Sequence, residues 1–384
     1  MRDFKRWFDR RTAMRLAGAL LLLPVVGYGL DAPKPAGPAA ATPPAEPPKV
    51  EVAATDETAF YERLQFVAHR RNLVGLKISD EVLRSLAKGS TDAAVASLSS
   101  QAAAGDRDAN IALVRLQHWC NRISQARPGD VQAQLNKLAT VVPAERLPRI
   151  AGVLNAEKPY QDRARQSCGT AQFEYGLIEE RLRNAASKGD PASATELAQF
   201  TRDSALRQSL LQQAADKNFP PAMQALATAR LIAVQRGETT ENVGSIRTLF
   251  KQAGLTLSRA KVDLANCMAL GCDGHPADAP AAAAFGTDAA RDGEPSAFLS
   301  MMRMPWGGRI PRVQLLAWQY YGDRLNEGGC TGDTYVLTNV AFAQTIGMLE
   351  KGADPQFIEQ AKTKADELWR AHSERAMTEQ GCGA

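Results

Sequence analysis

The sequence predicts an all-α fold, a right-handed solenoid of antiparallel helix pairs with a C-terminal helical hairpin. Three observations lead there. From about residue 56 onward, apolar residues recur three and four apart, as in Val313, Leu316, Ala317, Tyr320 and Tyr321, or Ile358, Ala361, Ala365 and Leu368. That spacing lines one face of a helix. Alternating β-branched runs, the mark of strands, are nearly missing. The breaks between periodic segments also repeat a pattern of their own, which is the signature of stacked units.

Residues 1–30 read as a signal peptide or an N-terminal membrane anchor. Cations end at Arg15, and residues 16–30, LAGALLLLPVVGYGL, carry no charge. A basic n-region followed by an apolar h-region is the export pattern. Fifteen apolar residues are fewer than the roughly 20 of a comfortable membrane helix, and Pro24 weakens the helix further. Gly27 and Gly29 stand in the relation that a signal peptidase accepts, but the site is not of the Ala-x-Ala type, so cleavage and an uncleaved anchor stay open. Either outcome keeps the basic flank inside. The resulting expectation is a periplasmic body, with inner-membrane anchoring through this segment if it is uncleaved.

Residues 31–50, DAPKPAGPAAATPPAEPPKV, form a Pro/Ala-rich linker without the bulky apolar groups a core needs. Residues 51–384 are then one helical repeat domain, with a repeat-like core over about 85–305 and a helical cap over about 309–384. About sixteen helices are expected, with short breaks at Gly or Asx-Pro. Asp190-Pro191 and Asp354-Pro355 each set a capping carboxylate before a first-turn proline.

The repeated break reads Ala-Ala-Ser-Lys-Gly-Asp-Pro at 185–191, Ala-Ala-Asp-Lys-Asn-Phe-Pro at 214–220 and Ala-Ala-Arg-Asp-Gly-Glu-Pro at 289–295, with a shorter Ala-Ala-Gly-Asp-Arg at 103–107. Gly105, Gly189, Asn218 and Gly293 are equivalent. Four residues on stand Ala109, Ser193, Ala222 and Ala297; eight on stand Leu113, Leu197, Leu226 and Met301. Glycine or asparagine takes the left-handed end of one helix, and a small residue in the next permits close approach. A large apolar residue then fills the groove. This pattern resembles the Sel1-like repeat of the tetratricopeptide superfamily over roughly 85–305. The aromatic expected near each repeat's end is mostly missing, and the copies are spaced 84, 29 and 75 residues apart. The resemblance implies a scaffold whose concave face binds another protein or peptide.

Charge argues against nucleic acid as a partner. The formal +4 resides entirely in residues 1–30, which leaves 40 cations and 40 anions beyond them. A neutral body offers no phosphate-neutralising surface on net charge.

Catalytic signatures are missing: no Gly-x-Ser-x-Gly elbow, Walker loop, His-Glu-x-x-His or dinucleotide fingerprint occurs. No enzyme activity and no cofactor are expected. His69, His118, His275 and His372 are scattered and read as surface or capping residues. Glu179 and Glu180, in IEERLR, read as a solvated face with carboxylate–arginine pairing. Trp306-Gly307-Gly308, Trp318, Tyr320 and Tyr321 form the most aromatic stretch and read as core.

Six cysteines lie beyond the apolar segment. An even number suits disulfide pairing. Cys267, Cys272 and His275 could offer zinc three ligands, or form a thiol-based module. A local Cys267–Cys272 disulfide at a helix end, with Gly271 turning the chain, is the preferred reading. Cys330 precedes one predicted C-terminal helix and Cys382 follows the next; a short connection puts both at the same end, which predicts Cys330–Cys382. Cys120 and Cys168 are then left for each other. A purely structural envelope spacer is the other alternative to a binding scaffold.

Overall fold

The computed structural model describes residues 69–71, 73–125, 131–140, 142–237, 245–272, 274–328, 330 and 335–382. The predicted signal segment, the linker and the first residues of the repeat domain lie outside these. Among the described residues the chain is all-helical, with sixteen α-helices and no strand. They are α1 (Asp80–Ala87), α2 (Thr91–Ala103), α3 (Arg107–Gln125), α4 (Val131–Leu138), α5 (Leu147–Thr170), α6 (Tyr175–Ser187), α7 (Pro191–Phe200) and α8 (Ser204–Ala215), followed by α9 (Pro220–Gln235), α10 (Ile246–Ala253), α11 (Ser258–Leu270), α12 (Ala279–Arg291), α13 (Pro295–Arg303), α14 (Arg312–Glu327), α15 (Tyr335–Glu350) and α16 (Pro355–Gln380).

The turns are built alike. Gly105, Gly189, Asn218 and Gly293 all have positive φ, and Asn218, at 58°, is the one described non-glycine that does. In each turn the amide after that residue donates five positions back: Asp106 to Gln101, Asp190 to Ala185, Phe219 to Ala214 and Glu294 to Ala289, at 3.0, 3.0, 3.3 and 3.1 Å. This is the Schellman closure, which satisfies carbonyls that a helix end leaves unpaired. The next helix starts at once. The Asp190 carboxylate accepts from the Ser193 amide at 2.8 Å, and Asp354 does the same for Gln356 at 2.7 Å.

Beyond each turn the small residue is buried (Ala109, Ser193, Ala222, Ala297), as is the large one (Leu113, Leu197, Leu226, Met301). The first three large residues belong to one continuous core with Val82, Leu86, Leu98, Leu182 and Leu211. Met301 belongs to a second core around Phe298, Trp318, Tyr321 and Phe342.

Two spacings that looked irregular have structural causes. Between Asn218 and Gly293 another helix pair, α10 and α11, turns at Gly254 with φ −67° and no left-handed residue. Its amides close onto Ala253 instead. Between Gly105 and Gly189 the chain inserts α4 and α5.

Helices that follow turns lie side by side. α3 packs on α7, α7 on α9, α11 on α13 and α13 on α15, while Gln224 on α9 bonds Asp263 on α11 at 2.7 Å. The inserted α5 packs on both α15 and α3, so the row returns to its start. Leu138, Val142, Leu147, Ile150 and Leu154 meet Val340 and Ala343 there.

At the C-terminal end both arms of the hairpin are held through α14, which packs on α15 and on α16. Arg312 stacks over Phe357 at 5.6 Å, and Arg324 over Trp369 at 4.1 Å. The pairs advance together, so α14 and α16 run parallel and end at the same place. That is where Cys330 and Cys382 form a disulfide, their Cα atoms 5.1 Å apart. Trp306 is fully buried, and the site of a Cβ on Gly286 would lie 2.3 Å from its ring.

The expected inner-membrane anchoring is corrected. No helix among the described residues is long and apolar enough to cross a membrane, and the segment 16–30 that raised the expectation lies outside them. Inner-membrane anchoring, as a partner contact and as a location, is therefore not carried further.

Candidate binding face

The row of turn-following helices is knitted by polar bonds between neighbours. Between α3 and α7, Arg115 gives Nε and a terminal nitrogen to the buried Glu196 carboxylate at 3.0 and 2.9 Å. Gln224 on α9 reaches Asp263 on α11, and Asn266 on α11 lies 3.4 Å from the Ser300 hydroxyl of α13. Trp306 Nε1 donates to the Asn266 carbonyl oxygen at 3.0 Å, which fixes that amide's orientation. At the closing seam Arg149 on α5 donates to Asn339 on α15 at 2.8 Å. Gln224, Asn266 and Ser300 are half-buried, with part of each side chain open to solvent.

Electrostatics along this face are mixed. Burial pushes the Asp263 carboxyl above the usual carboxylate range, although Arg259, 3.6 Å away, and the Gln224 bond act the other way. Arg259 also faces Glu294 at 3.8 Å. Burial lowers His118, whose ring leans on Phe200 at 4.6 Å between centroids; Arg122 adds to the shift and Glu196 opposes it. Such a face presents hydrogen-bonding groups on rigid helices, with cations and anions interleaved.

The cysteines offer no thiolate. Cys267 bonds Cys272, with Cα atoms 5.4 Å apart, and Gly271 turns the chain at φ 77°. Cys120 bonds Cys168, also at 5.4 Å. His275 is exposed beyond the Cys267–Cys272 turn. Among the described residues no group of His, Cys, Asp and Glu is placed to hold a metal ion.

Of the other singled-out residues, Glu179 pairs with Arg183 one turn on, and both are exposed. Trp318 and Tyr321 are core, while Tyr320 is half-buried with its hydroxyl on Glu350. His69 is a correction. It is not on the surface but 1% exposed, edge-on to Trp119 at 4.0 Å, with neither ring nitrogen bonded. No spacing signal marks a lone histidine as buried. The Asn266–Ser300 and Gln224–Asp263 pairs leave no local mark in the sequence, because they join residues 34 and 39 positions apart.

No family model matches the chain, and no curated protein matches it in sequence. Among solved structures it is similar to a protective antigen present in uropathogenic Escherichia coli strains, described as displaying an SLR fold. The TM-score is 0.44 at 16% identity, over 79% of this chain and 62% of that one. This chain thus spans under two thirds of that protein's length. In its own geometry the chain is a stack of helix pairs, with recurring left-handed turns, a small buried residue four positions on and a large one eight on.

Proposed function

We propose that the chain is a scaffold that binds another protein or peptide along the row of α9, α11 and α13, and that it is not an enzyme. The observation that carries this reading is the set of half-buried polar groups, Gln224, Asn266 and Ser300, held by bonds between neighbouring helices. Preorganised groups of this kind lose little side-chain freedom on binding, which favours recognition. Three disulfides are what a protein working under oxidising conditions would carry, and they support a reading in that setting. The bonded cysteines speak against a thiol-based or metal-binding module at Cys267 and Cys272.

A photo-reactive residue placed in turn at Gln224, Asn266 and Ser300 tests the proposal, with Glu179 and Arg183 on the outer face of α6 as controls. One partner captured from the row positions and not from the controls supports it. Equal capture from both faces, or none from the row, overturns it in favour of a structural spacer.

A further inference from the structure

We propose that α5 is a brace that closes the row of helices, and that the Cys120–Cys168 disulfide governs the closure. The proposal rests on the fold and is independent of what the row binds.

α5 is fastened at its two ends to parts of the chain far apart in sequence. At its C-terminal end, Cys168 is bonded to Cys120 of α3. Nearby, the Ser167 hydroxyl donates to the Gly89 carbonyl and accepts from the Thr91 amide, both at 2.7 Å. At its N-terminal end, Arg146 donates to Asp323 at 2.8 Å, and Arg149 donates to Asp323, Glu327 and Asn339 at 3.1, 2.5 and 2.8 Å. Beneath these bonds Ile150 and Leu154 pack with Val340.

The two attachments differ in kind. The α14–α15 end is a small apolar cluster with partly exposed ion pairs, each of which contributes little alone. The α3 end is covalent. Both attachments lie within one chain, and fixing the C-terminal end of α5 to α3 raises the effective concentration of its N-terminal end at α14 and α15. Cleaving the bond removes that advantage while leaving the arginine contacts chemically intact. Cys168 is half-buried, while Cys120 is buried. A dithiol reductant would convert the pair to two thiols and become a disulfide itself, passing two electrons and two protons; reoxidation reverses the step.

The test is hydrogen exchange of the full, oxidised chain against the Cys120→Ser/Cys168→Ser variant, read at 147–154 and 338–346. Exchange at both segments should rise on the order of 100-fold, with 191–235 and the Cys330–Cys382 end unchanged. Wild type titrated with a dithiol, with mass mapping of the reduced pair, should show the same segments loosening as Cys120–Cys168 opens. Unchanged exchange at 338–346 when the bond is absent overturns the proposal. A uniform rise across every helix overturns it too, because the bond would then maintain the whole fold and not the closure.

Discussion

His69 should make stability fall on mild acidification. Its imidazole is fully enclosed, and burial lowers its pKa from 6.5 to about 3. The folded chain therefore holds the ring neutral, whereas the unfolded chain protonates it below pH 6.5. Unfolding takes up a proton in the window between these values. Stability is complete above about pH 6.5 and is lost progressively as pH falls toward 3. With one pKa unit worth about 1.4 kcal/mol, the histidine should cost about 2 kcal/mol at pH 5 relative to pH 7. Its absence isolates the term. His69→Phe keeps a ring against Trp119 but cannot titrate. Urea midpoints for both chains between pH 7.5 and 4.5, without reductant, should diverge steadily below pH 6.5, with the wild type the more acid-sensitive. Parallel curves, or a folded-state His69 pKa near 6.5 by NMR, would refute the reasoning.

Further outcomes follow from the same packing. Leu197→Ala and Leu226→Ala should each destabilise by about 2–4 kcal/mol in urea unfolding, since both side chains are enclosed; negligible effects at both would mean the repeat register is wrong. Asn218→Ala should cost about 1–2 kcal/mol and Asn218→Gly much less, because the residue sits at φ 58°. Gly286→Ala should cost about 1–3 kcal/mol by pushing on the Trp306 ring, checked by the same unfolding measurement. Asp292 is buried; it accepts a hydrogen bond from Lys261 and forms an ion pair with Arg375, both at 2.7 Å. Asp292→Asn should lower stability by about 2 kcal/mol, less than for a fully buried pair because Arg375 is largely exposed.

What could be read in the sequence was whatever chemistry leaves a local mark. A left-handed helix end demands Gly or Asn, and a close crossing demands a small side chain, so the turns at Gly105, Gly189, Asn218 and Gly293 stand out. The turn at Gly254 closes in right-handed geometry and carries no such mark, which is why the α10–α11 pair passed as a gap in the repeat. Cys330 and Cys382 were read as lying at one end of the cap, and they do bond. The physical reason includes α14, which runs parallel to α16 and brings the two cysteines together. The closing seam was illegible. Arg149 and Asn339 are 190 residues apart, and nothing local distinguishes these two polar residues from any others on helix surfaces. The polar pairs that join α9, α11 and α13 were hidden for the same reason.

The measurement that bears most directly on the scaffold reading is the affinity of the partner captured at the row for a chain carrying Gln224→Ala, Asn266→Ala and Ser300→Ala together. Binding should weaken at least about tenfold if these groups carry recognition, while helix content and all three disulfides are retained. Undiminished affinity in that folded variant would contradict the account and move the contact to another surface.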